Sequence, residues 1–188
     1  MQSAGARQVG WKLALTSEAA QARFGVDRSF SAPVFDATRI QSSLRRSAFV
    51  EPLLEAEIGV AFRDGAWTAL PCVEIADCRF AGWRIDIGQA IADFGLHGAM
   101  AFGEPVPEVD TVTVNVSRDG LTVASGSVSV EGAMGRARAL RAELGDRFAV
   151  SRETIVATGS FIQPVPLVLG LWRLDFGSFG VLELTVAP

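Results

Sequence analysis

The chain has 188 residues, enough for one domain with a sizeable core. Apolar residues make up 49% of it and mean hydropathy is +0.29, which excludes a disordered, highly charged chain. The net charge is −4 and no basic run exceeds Arg45-Arg46, so neither nucleic acid nor an anionic membrane surface is suggested as a partner.

In chain order, residues 9–15 read as a strand with one lysine, Lys12, set among Trp11, Leu13 and Leu15. Thr16 or Ser17 then caps a short helix that ends at Gly25. Residues 29–33 read as loop, and Val34-Phe35 as a short strand. Residues 49–62 form a strand carrying Glu55 and Glu57, Asp64-Gly65 marks a tight turn, and residues 69–76 form a strand carrying Glu74. A short helix over 86–94 and an irregular, Gly-rich stretch over 95–100 follow. The second half is mostly β. A hairpin turns at Arg118-Asp119-Gly120, and residues 133–144 form the clearest helix, closed by Gly145. A strand over 154–158 ends in Gly159-Ser160, and strands over 172–176 and 181–186 pair across Gly177 to Gly180. No linker or internal repeat interrupts this pattern, so the fold class is mainly β with short helices (α+β).

Side chains on a strand alternate faces, so Glu55 and Glu57 point the same way. The ordinary reading of such a pair is the solvated face of a half-buried sheet. Glu74, flanked by Val73 and Ile75, is harder to explain so. Buried carboxylates side by side repel and cost several kcal/mol each unless paired. A divalent cation relieves that cost, and an all-carboxylate set favours Mg²⁺, Mn²⁺ or Ca²⁺ over zinc or copper. A single histidine, His97, makes a His-rich transition-metal site an unlikely fit, and there is no Gly-rich phosphate or dinucleotide loop. Cys72 and Cys78 match no zinc or redox spacing and read as buried, reduced thiols of a cytoplasmic protein. No segment is long and apolar enough to span a bilayer, and the first residues lack the apolar stretch of a signal peptide.

These pieces, in this order, resemble the fumarylacetoacetate hydrolase-like superfamily, within it the 2-keto-4-pentenoate hydratase and 4-oxalocrotonate decarboxylase branch. The resemblance runs from about Gly10 to the C-terminus. It rests on Gly10-Trp11-Lys12-Leu13-Ala14-Leu15-Thr16-Ser17, on Glu55-Ala56-Glu57-Ile58, on Val73-Glu74-Ile75-Ala76-Asp77-Cys78-Arg79, on Ala92-Asp93, on Ala157-Thr158-Gly159-Ser160, and on Phe179-Gly180-Val181-Leu182-Glu183-Leu184. It implies a mixed β-barrel or β-roll of the fumarylacetoacetate hydrolase C-terminal-domain type, one catalytic domain over residues 1–188 without the family's N-terminal helical segment. It further implies that Glu55, Glu57 and Glu74 bind Mg²⁺ or Mn²⁺, which a small 2-keto acid chelates. The cation acts as a Lewis acid toward an enolate in hydration or decarboxylation.

For Lys12 the resemblance implies an acid/base role, and burial would lower its pKa; the alternative is a buried stem with the amine in water. Asp36 lies where the family often has an acidic loop residue, and His97, near glycines, is a candidate proton shuttle or incidental. Arg79 reads as a clamp for a substrate carboxylate or as an ion pair with Asp77 or Asp93. Thr158, Gly159 and Ser160 read as hydroxyls and N–H groups offered to substrate, or as a plain strand end. The chain departs from the family at Phe94, where the hydratases usually have Asn. It also lacks a helix between Glu57 and Glu74, and a His-Pro-type element around 131–135. Two further functions stay open: C–C hydrolysis of an acylpyruvate, and a non-catalytic assembly or binding subunit. Composition and family habit point to a homo-oligomer.

Overall fold

A computed structural model describes residues 5–106 and 109–188. The described residues form twelve strands and three α-helices. In order these are β1 (Gln8–Ala14), α1 (Glu18–Phe24), β2 (Phe30–Phe35), β3 (Ser43–Arg45), β4 (Leu53–Arg63), β5 (Ala66–Ala76), α2 (Ile87–Ala92), β6 (His97–Phe102), β7 (Thr111–Arg118), β8 (Leu121–Ser129), α3 (Val130–Leu144), β9 (Glu153–Ala157), β10 (Val165–Pro166), β11 (Gly170–Asp175) and β12 (Val181–Ala187). The mainly-β expectation holds.

The helix ends follow local chemistry. Ser17 caps α1 through its hydroxyl and Gly25 closes it in the left-handed region. Asp86 and Gln89 form a reciprocal capping box on α2. Asp64 and Gly65, both at positive φ, make the two-residue turn that joins β4 to β5.

The strands form two sheets. The larger runs β2-β1-β9-β4-β5-β6, with β10 added on β4, and the smaller runs β3-β12-β11-β7-β8. One face of the larger sheet packs on the smaller. Leu54, Ala56, Ile58 and Val60 of β4 meet a core that includes Val114, Trp172 and Leu184. Helix α3 covers β4 and β5 from the side, burying Ala133, Ala137 and Leu140.

The alternate residues of β4 and β5 turn to the opposite face. There the larger sheet curls so that its two edges approach. After β2, Arg39 forms a parallel bridge to Met100 of β6, and the Ile40 N–H donates to the Met100 carbonyl at 2.9 Å. The hollow so formed holds a second small apolar cluster of Val9, Val34, Cys72, Met100 and Ala157. This is the barrel-like part of the expected fold.

Two expectations are corrected, and two short strands are added. Residues 30–33 are strand, not loop. Residues 97–100 belong to β6, not to an irregular stretch. The strands β3 and β10 were not foreseen. No helix among the described residues is long and apolar enough to cross a membrane.

Candidate metal centre

Glu55 and Glu57 stand on the hollow side of β4, and Glu74 on the hollow side of β5 directly opposite Glu55 in the antiparallel register. One carboxylate oxygen from each lies within 4.8 Å of the other two. The solvated-face reading fails for this pair of strands: Glu57 is 1% exposed and Glu74 fully buried, while Glu55 keeps partial exposure. The open side of the cluster is therefore at Glu55.

Each carboxylate is held differently. Glu57 Oε2 accepts from the Gly159 N–H at 2.9 Å. Gly159 has φ of +96°, and a Cβ there would run into the Thr16 side chain, so only glycine delivers that N–H. Glu74 Oε1 accepts from Lys12 Nζ at 2.5 Å and lies 3.0 Å from His97 Nδ1. Glu74 Oε2 is buried with no hydrogen-bond partner. A buried carboxylate oxygen left unmatched costs free energy that a cation would offset. Three hard oxygen donors around an orphaned buried oxygen fit Mg²⁺, Ca²⁺ or Mn²⁺.

The electrostatics agree with a site short of positive charge. Burial, then the charge of Glu74, pushes the Glu55 carboxyl up to about 7 against the pull of Lys12. Glu57 is raised well above its ordinary value by burial and then by Glu74 and Glu55. Burial would raise Glu74 too, but the Lys12 ammonium and the His97 ring together hold it below the ordinary range. Because Glu74 is ionised it only accepts, which assigns the Nδ1 proton to His97.

Lys12 corrects one expectation. Burial alone would lower its pKa, as the sequence implied, but Glu74 with Glu55 and Glu57 behind it outweighs burial and raises it. Its ammonium also donates to the Gly95 carbonyl at 2.8 Å. That carbonyl is aimed by a backbone run in which Phe94, Gly95 and Leu96 all have positive φ. A non-glycine residue tolerates this conformation only at some cost, and Asn tolerates it better than Phe.

The remaining candidates divide. His97 joins the cluster, but buried in β6 with both ring nitrogens engaged: Nε2 lies 2.8 Å from Thr38 Oγ1. It is not presented on a flexible loop. Asp36 stays apart at the surface, where its carboxylate accepts from the Arg7 N–H. Arg79 pairs with Asp93 at 2.5 Å and donates to the His97 carbonyl. Asp77 instead accepts from the Val50 and Glu51 N–H groups. The Thr158 hydroxyl donates to the Ile58 carbonyl and the Ser160 hydroxyl to the Ile162 carbonyl, so both are spent within the chain. Cys72 faces Glu57 across β4 and β5, and burial followed by the charges of Glu57 and Glu74 pushes its thiol up. It is free and buried, as is Cys78.

Sequence reasoning missed Thr38, the Gly95 carbonyl and Arg136. Arg136 of α3 donates from Nε to the Thr158 carbonyl at 2.9 Å. On the sequence it is one arginine of four residues' worth of alternating Arg and Ala, and nothing there separates it from Arg138.

No family model matches the chain. One curated relative, 2-keto-4-pentenoate hydratase 2 of Dechloromonas aromatica (strain RCB), is 30% identical over 115 residues. That match covers 53% of this chain and 44% of the relative, so it spans less than half of the relative's length. Among solved structures, the 4-oxalocrotonate decarboxylase of Pseudomonas putida G7, complexed with magnesium and adipate, superimposes with a TM-score of 0.83 at 23% identity, covering 97% of this chain and 79% of that one. A 2-keto-3-deoxy-D-arabinonate dehydratase, complexed with magnesium and 2,5-dioxopentanoate, gives 0.65 at 15% identity, covering 96% and 73%. At such identities the structural likeness speaks for the fold alone. The chain is thus similar in part of its sequence to a 2-keto-4-pentenoate hydratase, and in fold to a 4-oxalocrotonate decarboxylase, as the motifs around Lys12, Glu55, Glu57 and Glu74 led us to expect.

Proposed function

We propose that the chain is a divalent-metal-dependent lyase, a hydratase or decarboxylase, acting on a small 2-keto acid. One observation carries the reading. Three carboxylates converge in a hollow, one oxygen of Glu74 is buried without a partner, and a buried lysine stands beside it. Glu55, Glu57 and Glu74 would hold Mg²⁺ or Mn²⁺. Bound there, the cation would supply Lewis-acid polarisation of a carbonyl oxygen.

The chain's own groups supply the rest. Lys12 keeps its proton because Glu74 holds the ammonium charged, so Nζ is a proton donor. Two of its three N–H bonds go to Glu74 and Gly95, leaving one for a ligand. The Gly95 carbonyl and Glu74 fix where that proton sits. His97, backed by Thr38, orients Glu74 from behind. Gly159 fixes Glu57 through the backbone. The apolar residues of the hollow restrict water to the Glu55 side.

C–C hydrolysis of an acylpyruvate is the weaker reading, because water activation would fall to His97, whose two ring nitrogens already have partners. An assembly subunit without catalysis would leave the unmatched Glu74 oxygen without purpose. The test is Mn²⁺ binding by calorimetry to the wild type and to Glu57→Gln, with and without oxalate as a 2-keto acid mimic. Binding that weakens in the variant and tightens with oxalate is expected. A wild type that binds no Mn²⁺ overturns the reading.

A further inference from the structure

We propose that β8 is a homodimer seam, at which a second copy of this chain pairs antiparallel with it across a two-fold axis at Gly126. The inference goes beyond the metal-dependent reading and stands whether or not that reading does. It starts from the sheet edges, where unpaired N–H and C=O groups invite another strand. The larger sheet ends at β2 and β6, and the bridge from Arg39 to Met100 draws those two edges together. β10 is two residues long and ends in Pro166. In the smaller sheet the edge strand β3 is three residues long and ends in Arg45. Each of these edges is closed, short or carries a charge or a proline, and such features keep other strands away.

The remaining edge, β8, has little of this protection. It is nine residues long, ends the smaller sheet and pairs only with β7. From Leu121 to Val130 it carries no charge and no proline. Leu121 and Val123 are 71% and 41% exposed, and Ser125, Ser127 and Ser129 are exposed too. A bulge at Val123, where the register to β7 shifts, leaves Ala124 to Ser129 as regular strand.

The occupant follows from that regular stretch. Ala124-Ser125-Gly126-Ser127-Val128 reads nearly the same in both directions about Gly126. A two-fold contact needs a surface complementary to itself. Antiparallel pairing centred on Gly126 sets Ser125 against Ser127 of the second copy, and Ala124 against Val128. Small hydroxyls then meet on the exposed face, and the apolar pair meets on the face packed toward the core. No like charges are opposed. Gly126 itself is demanded within the chain, since a Cβ there would run into the Phe161 carbonyl, so the test leaves it untouched.

The alternative is a solvated edge on a monomer. The experiment is sedimentation equilibrium of the full chain as wild type, as Ser125→Glu with Ser127→Glu, and as Ser125→Lys with Ser127→Glu. Wild type is expected to be a dimer. The double-glutamate variant opposes like charges at two places across the axis and should weaken the dimer about 10- to 100-fold. The lysine–glutamate variant carries as many changes on the same exposed positions but opposes unlike charges, and should dimerise within about tenfold of wild type. A monomeric wild type overturns the proposal. So does a double-glutamate dimer as tight as wild type, which would place the contact elsewhere. Equal loss in both variants overturns the pairing about Gly126.

Discussion

The larger sheet buries both of its faces, by different means. Toward the smaller sheet β4 sends Leu54, Ala56, Ile58 and Val60, which are excluded from water and interlock with Trp172, Leu174 and Leu184. Toward the hollow the same strand sends Glu55 and Glu57, which meet Glu74, Lys12 and His97. The first face is held by packing and is complete within the chain. The second is held by charge, and its count leaves an oxygen of Glu74 unmatched. Over residues 54–58 one strand thus alternates between apolar packing and buried charge. The difference teaches that changes on the first face should alter folding, whereas changes on the second should alter folding and cation affinity together, sometimes with opposite signs.

The largest effect is expected where packing alone is broken. Trp172→Ala removes a side chain that is 1% exposed and should cost about 3–5 kcal/mol in urea unfolding, with Mn²⁺ affinity of the folded protein unchanged. A parallel loss of Mn²⁺ affinity would show that the faces are not separable. Next comes Lys12→Met. It strips the counter-charge from buried Glu74 and should cost about 3 kcal/mol in chelator. Added Mn²⁺ should return much of that loss, which a core mutant cannot show; equal loss with and without Mn²⁺ would contradict the charge account.

Glu57→Gln should move the two readouts apart. The amide oxygen can still accept from Gly159, and the repulsion with Glu55 and Glu74 is removed. The chelator-treated variant should be more stable than wild type by about 1 kcal/mol while Mn²⁺ affinity falls. A less stable apo variant would mean that the ionised carboxylate supports the fold.

The smallest effect is a pH slope. The folded Glu55 carboxyl holds its proton up to about 7, against an ordinary value of 4.5, and Glu57 is shifted in the same direction. Between those limits the folded state binds more protons than the unfolded one, so stability falls as pH rises. The metal-free chain should have the stability contribution of Glu55 in full below 4.5 and lose it through about 7, with Glu57 acting in the same direction. Urea midpoints at pH 5 and pH 8 check this. Saturating Mn²⁺ should reverse the order, because the cation competes with those protons.

The sequence carried most of the site and less of its surroundings. Glu55, Glu57 and Glu74 were legible because carboxylates in apolar strands break a pattern of period two. The turn at Asp64-Gly65 fixed their register. The strand β2 was hidden by Pro33, which reads as a breaker; it is tolerated because β2 lies at the sheet edge and pairs only with β1. The strands β3 and β10, of three and two residues, exist only through pairing with distant β12 and β4, which no local pattern announces. His97 was read as loop because glycines surround it, whereas its burial depends on Thr38, 59 residues earlier. Arg136 and Arg138 look alike on the helix, and only the fold separates them: one reaches the Thr158 carbonyl, the other an exposed pair with Glu131.

The pairing of β1 with β9 is parallel, setting Gly10, Trp11 and Lys12 beside Ile155, Val156 and Ala157. A growing polypeptide therefore presents the three acids of the β4–β5 hairpin long before β9 exists to clamp the lysine strand in place. From the end of β5 at Ala76 to the start of β9 at Glu153, the acids of the hairpin have no lysine strand clamped beside them by β9. The order of translation itself thus completes the acid-bearing hairpin before the strand that clamps its lysine partner.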